Sequence, residues 1–150
     1  MTLRAFLFGT GETSRPVDIG LLVLRVGIGL MMAFGHGLGK IPPSQGFIEG
    51  AVGGMGLPFP TLFAWLAALS EFLGGLLIAV GLLTRPAAIA LASTMAVAFL
   101  VTHGGALSGD NSGEMAFLYL VPAIALAFTG AGRYSLDQVV WRRTATLRPL

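Results

Sequence analysis

Four apolar stretches, near 17–40, 60–83, 86–103 and 115–131, dominate the chain. Each approaches the roughly 20 residues that an α-helix needs to cross about 30 Å of hydrocarbon. The third is among the shortest. Only 11% of the residues are charged, against about 25% in an average soluble domain. A soluble fold of 150 residues could not cover its surface with so few polar side chains. Disorder requires the opposite composition. The expected fold is all-α: an integral membrane four-helix bundle forming one domain over 1–150, with a tail from 132.

Local punctuation supports the division. Arg85-Pro86 places a proline in the first turn of the third span, where its missing N–H costs nothing. Asn111-Ser112-Gly113-Glu114 has the spacing of a capping box ahead of the fourth, and Gly130-Ala131-Gly132 closes it. Only a tight turn around Thr84-Arg85 separates spans two and three, so they form an antiparallel hairpin.

The charges then give an orientation. With four spans, both tails and the Arg85 turn share one side, which holds seven arginines: Arg4, Arg15, Arg85, Arg133, Arg142, Arg143 and Arg148. The opposite loops hold Lys40 alone. This imbalance places both termini in the cytoplasm, in a multi-pass protein of the cytoplasmic (inner) membrane. A cleaved leader is the competing reading of the first span. No A-x-A site follows it, however, and Arg25 inside the run suits a retained helix.

Two segments lie outside the spans. Phe47, Ile48, Ala51, Val52 and Met55 fall at helical spacing, which predicts a short helix on the outer interface, ended by Gly56 and Pro58. Ser135-Leu136-Asp137-Gln138 opens an amphipathic C-terminal helix carrying Trp141, Arg142 and Arg143, expected on the anionic cytoplasmic leaflet. From Thr144 the tail is expected to fray.

The polar residues within the apolar spans are the candidates for chemistry. Asp18, Arg25, Met32 and His36 share one face of span one, and Lys40 follows it less closely. Glu71 lies near the middle of span two, where an unpaired charge would cost several kcal/mol. Ala67, Gly74 and Gly75 on its face admit a close neighbour. Arg25 is the expected partner of Glu71. Two readings stand: a structural ion pair fastening spans one and two, or a site that handles protons or quinone. His36, His103 and Glu114 end or begin spans on the outer side and can converge at a mouth. There the histidines are either solvated interface residues or groups that exchange protons or contact a quinone headgroup. Glu114 reads mainly as a helix cap.

Metal and heme readings have less behind them. Two-histidine heme ligation has no further mark, and Met31, Met32, Met55, Met95 and Met115 serve as apolar filler as readily as copper ligands. Neither heme nor copper is favoured, and no metal site is assigned. The absence of cysteine excludes disulfides, thiolate metal sites and thiol relays within the chain. Gly9-Thr10-Gly11 is too short for a phosphate loop, and no Ser–His–Asp order or H-E-x-x-H motif occurs. A net charge of only +2 gives no basis for nucleic-acid binding. Gly35 and Gly39 form a G-x-x-x-G pair, and Ala88, Ala92 and Ala96 a small-residue stripe. Both are expected packing faces, within the bundle or in a homodimer.

The order and spacing of several segments resemble the DoxX family of small membrane proteins. They are Leu24-Arg25-Val26-Gly27, Phe34-Gly35-His36-Gly37 with Lys40, Gly56-Leu57-Pro58, and Ala67 through Gly75. Gly81-Leu82-Leu83-Thr84-Arg85, Gly113-Glu114 and Gly132-Arg133-Tyr134-Ser135-Leu136-Asp137 complete the series. The resemblance spans roughly 17–138. It implies a four-helix membrane protein tied to quinone-linked oxidation of thiosulfate or other sulfur compounds, or to redox defence, working with a partner subunit or soluble redox enzymes. It makes Arg25, Glu71, His36 and His103 the candidate catalytic residues, with Arg85 as a further family position. His36, His103 and Glu71 become the candidate quinone contacts. A non-catalytic anchor acting through the basic C-terminal helix, and a dimeric small-solute transporter, are the alternatives; no internal repeat supports the latter.

Overall fold

The structure, a computed structural model, describes residues 14–146 together with position 7. Arg4, Arg148, Gly9-Thr10-Gly11 and the last residues of the tail lie outside it. Among the described residues every regular element is helical.

Helix α1 (Arg15–Leu30) starts with Pro16 in its first turn, where the proline ring favours helical φ. It runs on without a break through a widened π turn (Met31–Gly37) and a tight turn (Leu38–Lys40), giving an apolar helix of 26 residues. A short helical segment follows, again π-wound over Gly46–Val52 and tight over Gly53–Met55. It stops where Gly56 turns left-handed at φ 70°. The helical spacing read over Phe47–Met55 is thus matched, with the stop at Gly56.

Helix α2 (Pro60–Val80) is capped by left-handed Gly81, so it stops three residues short of the expected 83. Helix α3 (Thr84–Val97) continues through a π turn at Ala98–Thr102. Helix α4 (Glu114–Thr129) contains Pro122, and α5 (Leu136–Thr146) closes the described chain. At 1.5 Å per residue α4 spans about 24 Å, a turn less than the hydrocarbon layer. The other three, at 26, 21 and 19 residues, are long and apolar enough to cross.

Helix α2 packs against α1 on one side and α3 on the other, α3 packs against α4, and α4 meets α1 only sparsely. The α1–α2 contact is built on small residues. A Cβ at Gly29 would lie 2.5 Å from the Gly75 carbonyl oxygen. One at Gly75 would lie 2.9 Å from Ala33 N, and one at Gly37 would enter the backbone of Glu71 and Phe72. Residues 29, 33 and 37 thus form one four-residue ladder of small side chains. The expected pair Gly35 and Gly39 is not this face: nothing lies within 4 Å of a Cβ at either. Gly35 stands two residues from Gly37, about 200° around the helix.

The centre is apolar, with Met32, Ile78, Leu91, Met95, Ala123 and Leu126 buried. Large apolar side chains such as Val23, Phe34, Leu73, Leu100 and Phe128 face outward. A surface of that kind belongs in lipid rather than water. The molecule is a multi-pass membrane protein in contact with the bilayer.

Candidate functional site

Two polar clusters occupy opposite ends of the bundle. The terminal end gathers the start of α1, the α2–α3 turn and the chain around α5. The loop end gathers the close of α1, the Gly46–Met55 segment and the 103–113 loop.

At the terminal end Asp18, Arg25 and Asp137 are each no more than 2% exposed. Arg25 Nη1 donates to the Ala79 carbonyl at 2.6 Å, in the last turn of α2, where a cation meets the negative end of the helix dipole. Its Nη2 donates to the Tyr134 carbonyl. Asp137 accepts from the N–H groups of Leu83 at 2.7 Å and Thr84 at 3.0 Å, capping α3 from a distant part of the chain. Its own N–H donates to Gly81 O at 2.8 Å. These bonds hold Leu83 in a left-handed conformation (φ 48°) that a leucine rarely adopts. Asp18 accepts from Arg133 N at 2.9 Å and lies 3.5 Å from Arg133 Nε. Ser135 accepts from Gln138 N at 3.3 Å, the expected cap of α5. Gly81 must be glycine here: a Cβ would lie 2.7 Å from Arg25 Nη1 and from Ser135 Cβ.

Arg25 therefore does not pair with Glu71. The helices cross with Gly37 opposite Glu71, and Arg25 lies about 18 Å further along α1, beyond the reach of any arginine side chain. Glu71 instead takes Lys40, whose Nζ donates to both carboxylate oxygens at 2.6 Å. Helical phase sets Lys40 only loosely on the polar face of α1 and does not foretell this pairing. The π turn between Gly29 and Lys40 resets the face on which the lysine emerges. Glu71 is 2% exposed, while the Lys40 side chain is 32% exposed and passes 5.4 Å from the Phe47 ring of the Gly46–Val52 segment. The pair is thus dry on one side and open on the other.

The two histidines stand apart. His36, half-buried, meets the Tyr119 ring edge-on with centroids 5.3 Å apart. His103 Nδ1 lies 3.2 Å from Asn111 Oδ1. No hydrogen bond, ion pair or ring contact joins His36, His103 and Glu71 to one another among the described residues. Asn111, expected to cap α4, also donates to Thr102 O at 3.4 Å and so braces the 103–113 loop. The cap of α4 comes from Ser112, whose hydroxyl accepts from Glu114 N at 3.2 Å. Glu114 itself is exposed in the first turn, where its charge suits the dipole. Of the candidate methionines, Met32 and Met95 are buried in the core while Met31 and Met115 face outward.

A groove of about 400 Å³ opens where α1 and α4 barely touch, walled by Val23, Gly27, Ile28 and Met31 with Leu118 and Tyr119. Chemically, the loop end offers a carboxylate–ammonium pair, two imidazoles and a phenol. These groups can bind and pass protons; none carries electrons.

The DoxX family profile matches residues 20–104, from early α1 through α3, and includes His36, Lys40, Glu71 and His103. The Bacillus subtilis protein named "Putative oxidoreductase CatD" is 34% identical over 129 residues, covering 86% of this chain and 92% of that protein. "Inner membrane protein YphA" of Escherichia coli is 34% identical over 144 residues, with 91% and 98% covered. A Mycobacterium tuberculosis protein, "Uncharacterized membrane protein Rv3486", is 30% identical over 135 residues, with 82% of each covered. No solved structure matches.

Proposed function

The chain belongs to the DoxX family, and on that premise we propose that it is the membrane subunit of a quinone-linked oxidoreductase system. Its donors would be small sulfur compounds, or its role redox defence. The observation that carries this reading is the Lys40–Glu71 pair: a carboxylate 2% exposed in a membrane helix, held by one lysine that reaches the surface. Buried intramembrane carboxylates are costly and tend to mark proton relays. Here the proton path is short, from Glu71 to Lys40 and out beneath Phe47. A quinone, when bound, supplies the electron chemistry that no side chain here can. His36 and His103, at the same end, are the further groups able to exchange protons near neutral pH. The name of the CatD protein agrees with an oxidoreductase setting.

In this reading α4 completes a fourth crossing, with the bilayer thinning slightly to meet its shorter length. Arg15, Arg85, Arg133, Arg142 and Arg143 put the terminal end in the cytoplasm, and the loop end faces outward.

The test is quinone content and turnover of the purified full chain. The reading expects quinone to co-purify above its ratio to phospholipid. It also expects thiosulfate- or sulfide-driven quinone reduction in membranes, lost in a folded Glu71→Gln variant. A chain that carries no quinone and supports no reduction contradicts it. A second reading rests on the exposed Arg142 and Arg143 of α5, which offer a basic face to soluble redox enzymes. It predicts partner capture that survives Glu71→Gln and fails in Arg142→Ala/Arg143→Ala.

A further inference from the structure

The Lys40 ammonium is held by more than Glu71. It donates to both carboxylate oxygens at 2.6 Å, and it also stands over the Phe47 ring, 5.4 Å from the centroid. An aromatic face attracts a cation through its negative quadrupole but cannot accept its proton. The ring therefore fixes the charge without competing with Glu71 for a hydrogen bond. A lysine is a strongly hydrated charge on a flexible stem, and this one is 32% exposed, so water competes for it. Phe47 is itself placed by local structure. Its N–H donates to Ser44 Oγ at 3.2 Å, and the N–H of Ile48 donates to the Ser44 carbonyl at 3.0 Å. Further along, Val52 is buried where the Gly46–Val52 segment packs on α2, the helix that carries Glu71. The other titratable groups of this end are turned elsewhere. His36 meets Tyr119, His103 meets Asn111, and Glu49 and Glu114 are exposed.

Resting on the proton path proposed above, we infer that Phe47 is the positioning residue of the Lys40–Glu71 pair: its ring keeps the ammonium on the carboxylate and so governs when Glu71 can take a proton. While the ammonium sits on Glu71, both carboxylate oxygens are occupied. When it swings into water they are freed, and a proton can join one of them. Phe47 sets the balance between these two arrangements. It touches no reacting atom and is not itself catalytic. The role needs a π face rather than apolar bulk alone, and that requirement separates it from ordinary packing.

Reaction of the purified full chain in detergent with dicyclohexylcarbodiimide tests this, because the reagent adds to a protonated, accessible carboxyl. Modification at Glu71, as the N-acylurea or as an amide with Lys40, is followed by peptide mass spectrometry at neutral pH. Lys40→Met removes the ammonium and sets the fastest rate. Phe47→Leu keeps an apolar side chain but loses the π face, and should speed modification about three- to tenfold over wild type. Phe47→Tyr keeps the face and should stay within about twofold of wild type. Both should melt where the wild type does, since Phe47 is only partly buried. Phe47→Leu reacting at the wild-type rate shows that the ring does nothing and overturns the inference. Phe47→Tyr reacting as fast as Phe47→Leu points to disturbed packing and also overturns it. Both results leave the quinone-linked reading to its own test of quinone content and turnover. A wild-type chain that reacts as fast as Lys40→Met shows an unprotected Glu71, and removes this inference together with the proton path it rests on.

Discussion

The two polar ends use buried charge differently. At the terminal end Arg25, Asp18 and Asp137 direct their side chains to backbone groups: the Ala79 and Tyr134 carbonyls and the Arg133, Leu83 and Thr84 N–H groups. At the loop end Glu71 gives both oxygens to one flexible lysine that water can reach. A charge fastened to backbone from another element cannot leave without undoing the turn or cap it holds. A charge fastened to a mobile ammonium can exchange its proton or partner while the helices stay in place. The difference separates a structural lock from the proposed working site. The loop end also holds every π-wound segment among the described residues, at Met31–Gly37, Gly46–Val52 and Ala98–Thr102. Such turns frequently accompany functional sites.

The largest effect should come from the lock. Arg25→Met leaves Asp137 without its nearby cation and two carbonyls without their donor. It should lower stability by about 3–5 kcal/mol in thermal unfolding followed by tryptophan fluorescence. A loss below about 1 kcal/mol would erase the distinction between the ends. Next, Gly37→Leu forces α1 away from the Glu71–Phe72 backbone and should cost about 2–3 kcal/mol, whereas Gly35→Leu should stay within about 0.5 kcal/mol. Equal costs would show that the helices meet on a different face.

At the loop end the changes in stability shrink and the changes in activity grow. Lys40→Met strands the buried carboxylate and should cost about 2 kcal/mol. Glu71→Gln leaves a lysine that can rehydrate, for about 1 kcal/mol or less, yet should abolish quinone-linked turnover. The smallest stability change, within about 0.5 kcal/mol, is expected for Tyr119→Phe. If Glu71→Gln unfolds the protein as severely as Arg25→Met, the loop-end pair is a second lock rather than a site.

Much of the fold can be read from residue order alone. Apolar length, Pro16, Pro60 and Pro86 in first turns, and Gly56 and Gly81 at helix ends mark the elements to within a few residues. The cap of α5 at Ser135 is equally local. Partners are harder to read, because they depend on how antiparallel helices slide past one another. Asp18, Arg25 and Glu71 were identifiable as buried polar residues. Pairing Arg25 with Glu71, however, assumed a register about 18 Å in error, which only the Gly29–Gly75 and Gly37–Phe72 contacts fix. Lys40 falls only loosely on the polar face, and so does not suggest itself as the partner of Glu71, because helical phase is counted at 100° per residue and a π turn intervenes. The ladder at 29, 33 and 37 was the available signal, since it points to the face and height at which α1 meets α2. Tyr119 had no local signal. Its edge-on ring contact with His36 becomes visible only once α4 stands beside α1.

Double-mutant cycles in thermal unfolding test the central claim most directly, that Glu71 belongs to Lys40 and not to Arg25. Across Lys40→Met and Glu71→Gln the account predicts a coupling of about 1 kcal/mol or more. Across Arg25→Met and Glu71→Gln it predicts additivity within about 0.5 kcal/mol. Strong coupling in the Arg25 cycle, with additivity in the Lys40 cycle, would contradict it.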